Sequence, residues 1–172
     1  MNKITLTSAE AAKMLKKLSD EHEALLKMEQ NSSTFLASVG EDPESVRPNY
    51  DYEATQTNLE HLEDAIRTLK HALNLFNIKT VVPEFGMTVD QMLVFIPQLT
   101  KRKAKLFEMK SRLKKMRAET RYGIQQNFID YSYANYDIEK ADEDYTAVAD
   151  ELSRAQLALD RVNSTETFEV TL

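Results

Sequence analysis

Four stretches of this chain repeat apolar residues at alternating intervals of three and four. The first is short: Ala11, Leu15, Leu18, His22 and Leu25. The second runs through Leu59, Leu62, Ile66, Leu69, Leu73 and Phe76. The third holds Met92, Phe95, Leu99, Leu106, Met109, Leu113 and Met116, with Arg102 as its one polar member. The fourth holds Ile138, Ala141, Tyr145, Val148, Leu152, Ala155, Leu159 and Val162. A stripe at this spacing is the seam of a helix packed lengthwise on other helices. Helices are expected over roughly residues 8–30, 51–77, 88–119 and 137–163.

Local signals set the ends. Thr7-Ser8-Ala9-Glu10 and Thr88-Val89-Asp90-Gln91 are capping boxes, in which the hydroxyl and the acidic or amide side chain each take a free backbone N–H. Residues 31–50 carry Ser32, Ser33, Gly40, Asp42, Pro43 and Pro48 and read as a loop. Pro83 and Gly86 break residues 78–87, and Thr80, Val81 and Val82 favour a short strand there, in a tight hairpin. Pro97 falls inside the third helix, where it removes an N–H and is expected to kink the axis. Residues 120–136 form a further loop with a β-prone stretch at Phe128, Ile129, Tyr131 and Tyr133. The tail 167–172 alternates like a strand.

If successive helices pack antiparallel, the fold is mainly α. It is an antiparallel bundle of about four long, coiled-coil-like helices in one domain, 1–172. Residues 4–6, 80–82 and 168–172 then gather at one end, where some of them are expected to pair as a minor β element. Asn74, Asn77 and Asn163 map to the same end, placed to satisfy open carbonyls. The other end collects Tyr50, Tyr52, Tyr122, Tyr131, Tyr133 and Tyr136 as candidate interface residues, with Tyr145 two turns into the fourth helix. Tyrosine joins a large apolar ring to a polar handle, which suits interfaces; the bland reading is that these rings cap the core.

Charge adds a second feature. The net charge is −6, which disfavours nonspecific nucleic-acid binding. Yet residues 101–121 hold ten Lys and Arg against Glu108 and Glu119, a local +8 that leaves −14 for the rest. Lys101, Lys103 and Lys105 precede a denser group, Lys110, Arg112, Lys114, Lys115, Arg117 and Arg121, the candidate anion-binding residues. The competing reading is solvated pairing with Asp137, Glu139, Asp142, Glu143 and Asp144 at the start of the fourth helix, an arrangement that also suits both helix dipoles. Arg102 is expected to snorkel or to pair with a carboxylate.

Chemistry is sparse. There is no cysteine, so thiol catalysis, disulfides and zinc–thiolate sites are excluded. His22, His61 and His71 follow Ser19, Asn58 and Thr68 by three, so the Glu-x-x-His pairs of di-iron bundles are missing. No G-x-S-x-G, P-loop or G-x-G-x-x-G occurs, and the chain has only three glycines. No enzyme, cofactor or metal is expected. The longest apolar run, residues 92–96, is far short of the roughly 20 needed to span a bilayer, and the first residues lack the apolar core of a secretory signal. A cytoplasmic location is the expectation.

Leu73-Asn74-Leu75-Phe76-Asn77, then Thr80, then Gly86-Met87-Thr88-Val89-Asp90-Gln91-Met92-Leu93, resembles a family of small bacterial helical proteins that carry the label septicolysin-like. Tyr136-Asp137-Ile138 and Leu159-Asp160 with Asn163 extend the likeness over roughly residues 55–165. The family often has Trp after that asparagine, where this chain has Ser164. The resemblance implies an all-helical bacterial protein with short extended pieces, and it brings no established reaction. The expected function is that of a non-enzymatic, self-associating structural or interaction protein. The alternative is binding of nucleic acid or an anionic surface through the basic residues.

Overall fold

The computed structural model describes residues 3–118 and 130–172. The protein is mainly helical, with small antiparallel strand pairs. In chain order the elements are β1 (Lys3–Thr7), α1 (Ser8–Ser32), α2 (Pro43–Val46), α3 (Tyr52–Lys79), β2 (Val81–Val82) and β3 (Met87–Thr88). Then follow α4 (Val89–Lys110), β4 (Lys115–Arg117), β5 (Tyr131–Tyr133), α5 (Ile138–Thr165) and β6 (Thr167–Thr171). Two compact units divide them: Met1–Thr80 with Arg161–Leu172, and Val81–Asp160.

In the first unit α1 and α3 form an antiparallel pair. His22 of α1 meets Glu63 of α3, and seven residues on, Glu29 meets Gln56, seven residues back. The capping box expected of α1 is made. The Thr7 hydroxyl accepts the Glu10 N–H at 3.2 Å, and the Glu10 carboxylate accepts the Thr7 N–H at 2.9 Å. The core is Ala11, Leu69 and Val170, with Ile4, Leu6, Leu15, Leu18 and Phe168 packed on it. β1 and β6 supply part of that core because they pair antiparallel, Ile4 with Val170 and Leu6 with Phe168. Alternation then turns one face of the ribbon to the helices and leaves Lys3 and Glu169 outside, bridged at 2.7 Å. Between α1 and α3, the expected loop contains the one-turn α2, capped by the Asp42 carboxylate on the Glu44 N–H.

In the second unit β2 and β3 form the expected hairpin, Val81 opposite Thr88 and Val82 opposite Met87. Gly86 adopts φ +62° in its turn, a conformation with no penalty for glycine. Thr88 and Gln91 make the second capping box. α4 and α5 run antiparallel: Lys110, at the end of α4, meets Asp142, and Glu84, just before α4, meets Arg154. Met92, Leu99, Leu106, Ala141, Val148, Leu152, Ala155 and Leu159 are buried, as their spacing requires.

The third helix departs from expectation. It stops at Lys110 rather than near 119, and Lys115–Arg117 is a strand paired with Tyr131–Tyr133. Leu113 and Met116, read as seam residues, are 67% and 55% exposed. One cause is visible: a longer helix would stack Lys110 on Lys114 and Lys114 on Arg117, like charges at unfavourable spacing, whereas residues 115–117 gain a strand partner in β5. Ser111 turns its hydroxyl onto the Phe107 carbonyl at 2.7 Å, as Thr57, Thr100 and Thr146 do to their own helices.

Candidate functional site

All six residues of the strand ribbon β4–β5, in the second unit, are exposed. Its register sets Lys115 opposite Tyr133, Met116 opposite Ser132 and Arg117 opposite Tyr131. Ala118 donates to the Asp130 carbonyl at 2.9 Å, and Ala134 donates to the Lys114 carbonyl at 3.2 Å. Hydrogen-bonded pairs alternate along an antiparallel ladder. Lys115, Arg117, Tyr131 and Tyr133 therefore occupy the other kind of pair, and their backbone N–H and C=O groups point away from the ribbon. Their side chains share one face, since residues two apart on a strand point the same way.

That face is basic and aromatic. Lys115 Nζ lies 4.0 Å from the Tyr131 ring centre and 5.5 Å from that of Tyr133. The rings draw the ammonium by their quadrupoles. Tyr131 and Tyr133 are 49% and 63% exposed. Leu113, Met116, Ser132 and Ala134 line a recess of about 560 Å³ with Ser111, Arg112 and the edge residue Tyr133.

The root of the ribbon is tied to α4 and α5. The Tyr136 hydroxyl donates to the Met109 carbonyl at 2.7 Å, closing an open end of α4. Lys110 bridges Asp142 at 2.6 Å and sits 4.1 Å above the Tyr145 ring, which packs on Phe107 with centroids 6.0 Å apart. Lys114 reaches Glu139 at 3.8 Å. The basic-to-acidic pairing expected between these helices is thus present at Lys110 and Lys114. Arg112, Lys115 and Arg117 make no ion pair among the described residues. Arg102 is exposed and likewise pairs with no described carboxylate.

The remaining sequence candidates fall elsewhere. Tyr50 and Tyr52 belong to the first unit. Tyr52 is 64% exposed, while the Tyr50 hydroxyl donates to Glu29 at 2.7 Å. Glu29 also accepts from the Gln56 amide at 2.6 Å, so one carboxylate pins the start of α3. The Tyr50–Glu29 hydrogen bond, followed by desolvation, pushes the Tyr50 phenol up to about 12. Tyr122 and Arg121 lie outside the described residues, as do Gly123, Phe128 and Ile129. The asparagines do not all behave as expected: Oδ1 of Asn77 and Oδ1 of Asn163 are buried with no described hydrogen-bond partner, and Asn74 is exposed.

His22 Nε2 lies 3.2 Å from the Glu63 carboxylate in a groove of about 580 Å³ between α1 and α3, bordered also by Lys70 and His71. Among the described residues no three His, Asp or Glu side chains converge as metal ligands. A second groove of about 590 Å³ between the same helices is apolar, lined by Ala24, Leu25, Met28 and Leu62. Sequence reasoning missed Glu29 as a clamp and Ser132 as the centre of an exposed strand. The alternation Tyr131-Ser132-Tyr133 against Lys115-Met116-Arg117 was the signal for the latter.

No protein-family model matches the sequence, and no curated protein matches it. A solved structure does share the fold: the crystal structure of a functionally unknown conserved protein from Corynebacterium diphtheriae. It is 18% identical, with a TM-score of 0.62, and the match covers 98% of this chain and 100% of that one. None of the described helices is long and apolar enough to cross a membrane.

Proposed function

We propose that this protein is a non-enzymatic, self-associating interaction protein whose working surface is the β4–β5 ribbon. One observation carries the reading. A ribbon of two three-residue strands, exposed along its whole length, displays Leu113, Met116, Tyr131 and Tyr133 with its outer backbone groups unpaired among the described residues. Isolated two-stranded ribbons are marginally stable in water, so a partner that extends the ribbon stabilises it. The α4–α5 pair of the same unit is its support in this account, and association is expected to be coiled-coil-like in part. The resemblance to septicolysin-like bacterial proteins fits a small cytoplasmic helical protein without a reaction of its own, and we extend that reading to this chain. Light scattering across a concentration series tests the proposal: a mass that rises above the monomer supports it, and a strict monomer at high concentration contradicts it.

A second reading has its own observation. Lys115 and Arg117 share a face with two tyrosines, and single-stranded nucleic acids bind surfaces that combine phosphate-neutralising cations with stacking rings. Binding that weakens with salt, and is lost when Arg112, Lys114, Lys115 and Arg117 are made neutral, would support it. No retention of nucleic acid at low salt would remove it.

A further inference from the structure

The ribbon has two outer edges, and their chemistry differs. The outward backbone groups of one edge belong to Lys115 and Arg117, those of the other to Tyr131 and Tyr133. Consider two copies meeting edge to edge about a two-fold axis, the commonest symmetry of soluble oligomers. Through β4, centred on Met116, each Lys115 would face the partner's Arg117. Like charges directly opposite each other on a sheet are destabilising. Through β5, centred on Ser132, each Tyr131 faces the partner's Tyr133, and opposed aromatic pairs are favourable. That register also uses all four outward groups of Tyr131 and Tyr133, making four hydrogen bonds between the chains. Lys115 already lies over the Tyr131 ring, and this register leaves the cations on the two outer strands.

We infer that the β5 edge is the self-association site, and that a second copy of this chain adds its own β5 to form a four-stranded antiparallel sheet ordered β4–β5–β5–β4. The inference rests on the self-association reading and names its contact. It closes on itself: the two β5 edges are consumed and the remaining β4 edges carry Lys115 and Arg117, whose like charges oppose further growth. A head-to-tail contact of β4 on β5 would leave a free edge on every copy and build an open filament instead.

The absence of cysteine from the chain gives a clean test. In the β5–β5 sheet the two Ser132 residues form a non-hydrogen-bonded pair with Cα atoms about 4.5 Å apart, within disulfide reach. The two Met116 residues are three strand spacings apart, about 14 Å, beyond it. Ser132→Cys and Met116→Cys are both exposed substitutions, made one at a time in the full chain and oxidised under conditions where sedimentation velocity shows the uncross-linked protein associated. The expected result is a shift of Ser132→Cys to a covalent dimer while Met116→Cys stays monomeric on a denaturing gel. Three results overturn the inference while leaving association intact. They are cross-linking of Met116→Cys, cross-linking only in a mixture of the two variants, and no cross-linking of either in associated protein. A strictly monomeric sedimentation profile overturns the self-association reading itself, and this inference with it.

Discussion

Lys115 Nζ sits 4.0 Å from the centre of the Tyr131 ring, one strand over and two residues from its directly opposed partner Tyr133. The contact crosses the ribbon diagonally and ties the two strands together where the ladder hydrogen bonds of this residue point outward. Exposed cation–π contacts contribute about 0.5–1 kcal/mol. Replacing Lys115 by Ala is therefore expected to raise the exchange rates of the Ala118 and Ala134 amides, which close the ribbon, by roughly two- to fivefold. Hydrogen-exchange NMR on the variant reads this directly, and unchanged protection would mean that the contact does not hold the strands.

The Tyr50–Glu29 hydrogen bond predicts an alkaline signature. The phenol is raised from 10.0 to about 12, chiefly because the Glu29 carboxylate holds its proton. A group raised on folding contributes stability that is present below its unfolded value and is lost as pH rises through its folded value. The expected window for that loss is pH 10 to 12. Tyrosinate absorbance should show one late-titrating residue, and Glu29→Gln should remove the late phase.

At the opposite end of the pH scale stands the cap of α1. The Thr7 backbone N–H, then its hydroxyl, hold the Glu10 carboxyl below its usual 4.5. A lowered carboxyl contributes stability above its unfolded value that is lost as pH falls through the folded one. Thr7→Ala is expected to cost about 1 kcal/mol at neutral pH in urea unfolding, and less well below pH 4.5, where wild type has itself lost the Glu10 bond.

Two leucines contrast a packed seam, that of α3, with a position past the end of α4 that only its spacing made a seam residue. Leu69 is fully buried against Ala11 and Val170, whereas Leu113 is 67% exposed. Leu69→Ala is expected to cost about 2–5 kcal/mol and Leu113→Ala no more than about 0.5 kcal/mol of monomer stability. Equal losses would mean that Leu113 lies in a seam after all, as a helix running to residue 119 would require.

The seams and caps were legible because they are local. Thr7 with Glu10 and Thr88 with Gln91 place two helix starts, and the spacing through Leu59, Leu69 and Phe76 picks out buried side chains of α3. The first, second and fourth helices extend no more than two residues past their expected ends. The third helix was over-read for a physical reason. Leu106, Met109, Leu113 and Met116 keep helical spacing, but residues 115–117 pair with the strand Tyr131–Tyr133 and a longer helix would stack Lys110, Lys114 and Arg117. Apolar spacing does not register a partner so far along the chain. The strand-like pieces at the chain ends were expected to pair, and β1 and β6 do. The piece at 80–82 makes the hairpin expected of it, with its own neighbour across Gly86. Within the candidate site, Tyr131, Tyr133, Lys115 and Arg117 were identifiable by type, but their sharing of one face needed the register. The tyrosines grouped by counting helix directions divide between the two units, Tyr50 and Tyr52 in one and Tyr131, Tyr133 and Tyr136 in the other.

The central claim is association through the tyrosine edge of the ribbon, and sedimentation equilibrium of the wild type beside a Tyr131→Ser, Tyr133→Ser double variant tests it most directly. Each opposed tyrosine pair contributes roughly 0.2–1 kcal/mol, and a two-fold contact holds two of them, so the dissociation constant should rise by roughly 2- to 30-fold in the variant. A wild type that associates and a variant that does so with the same constant would contradict the account.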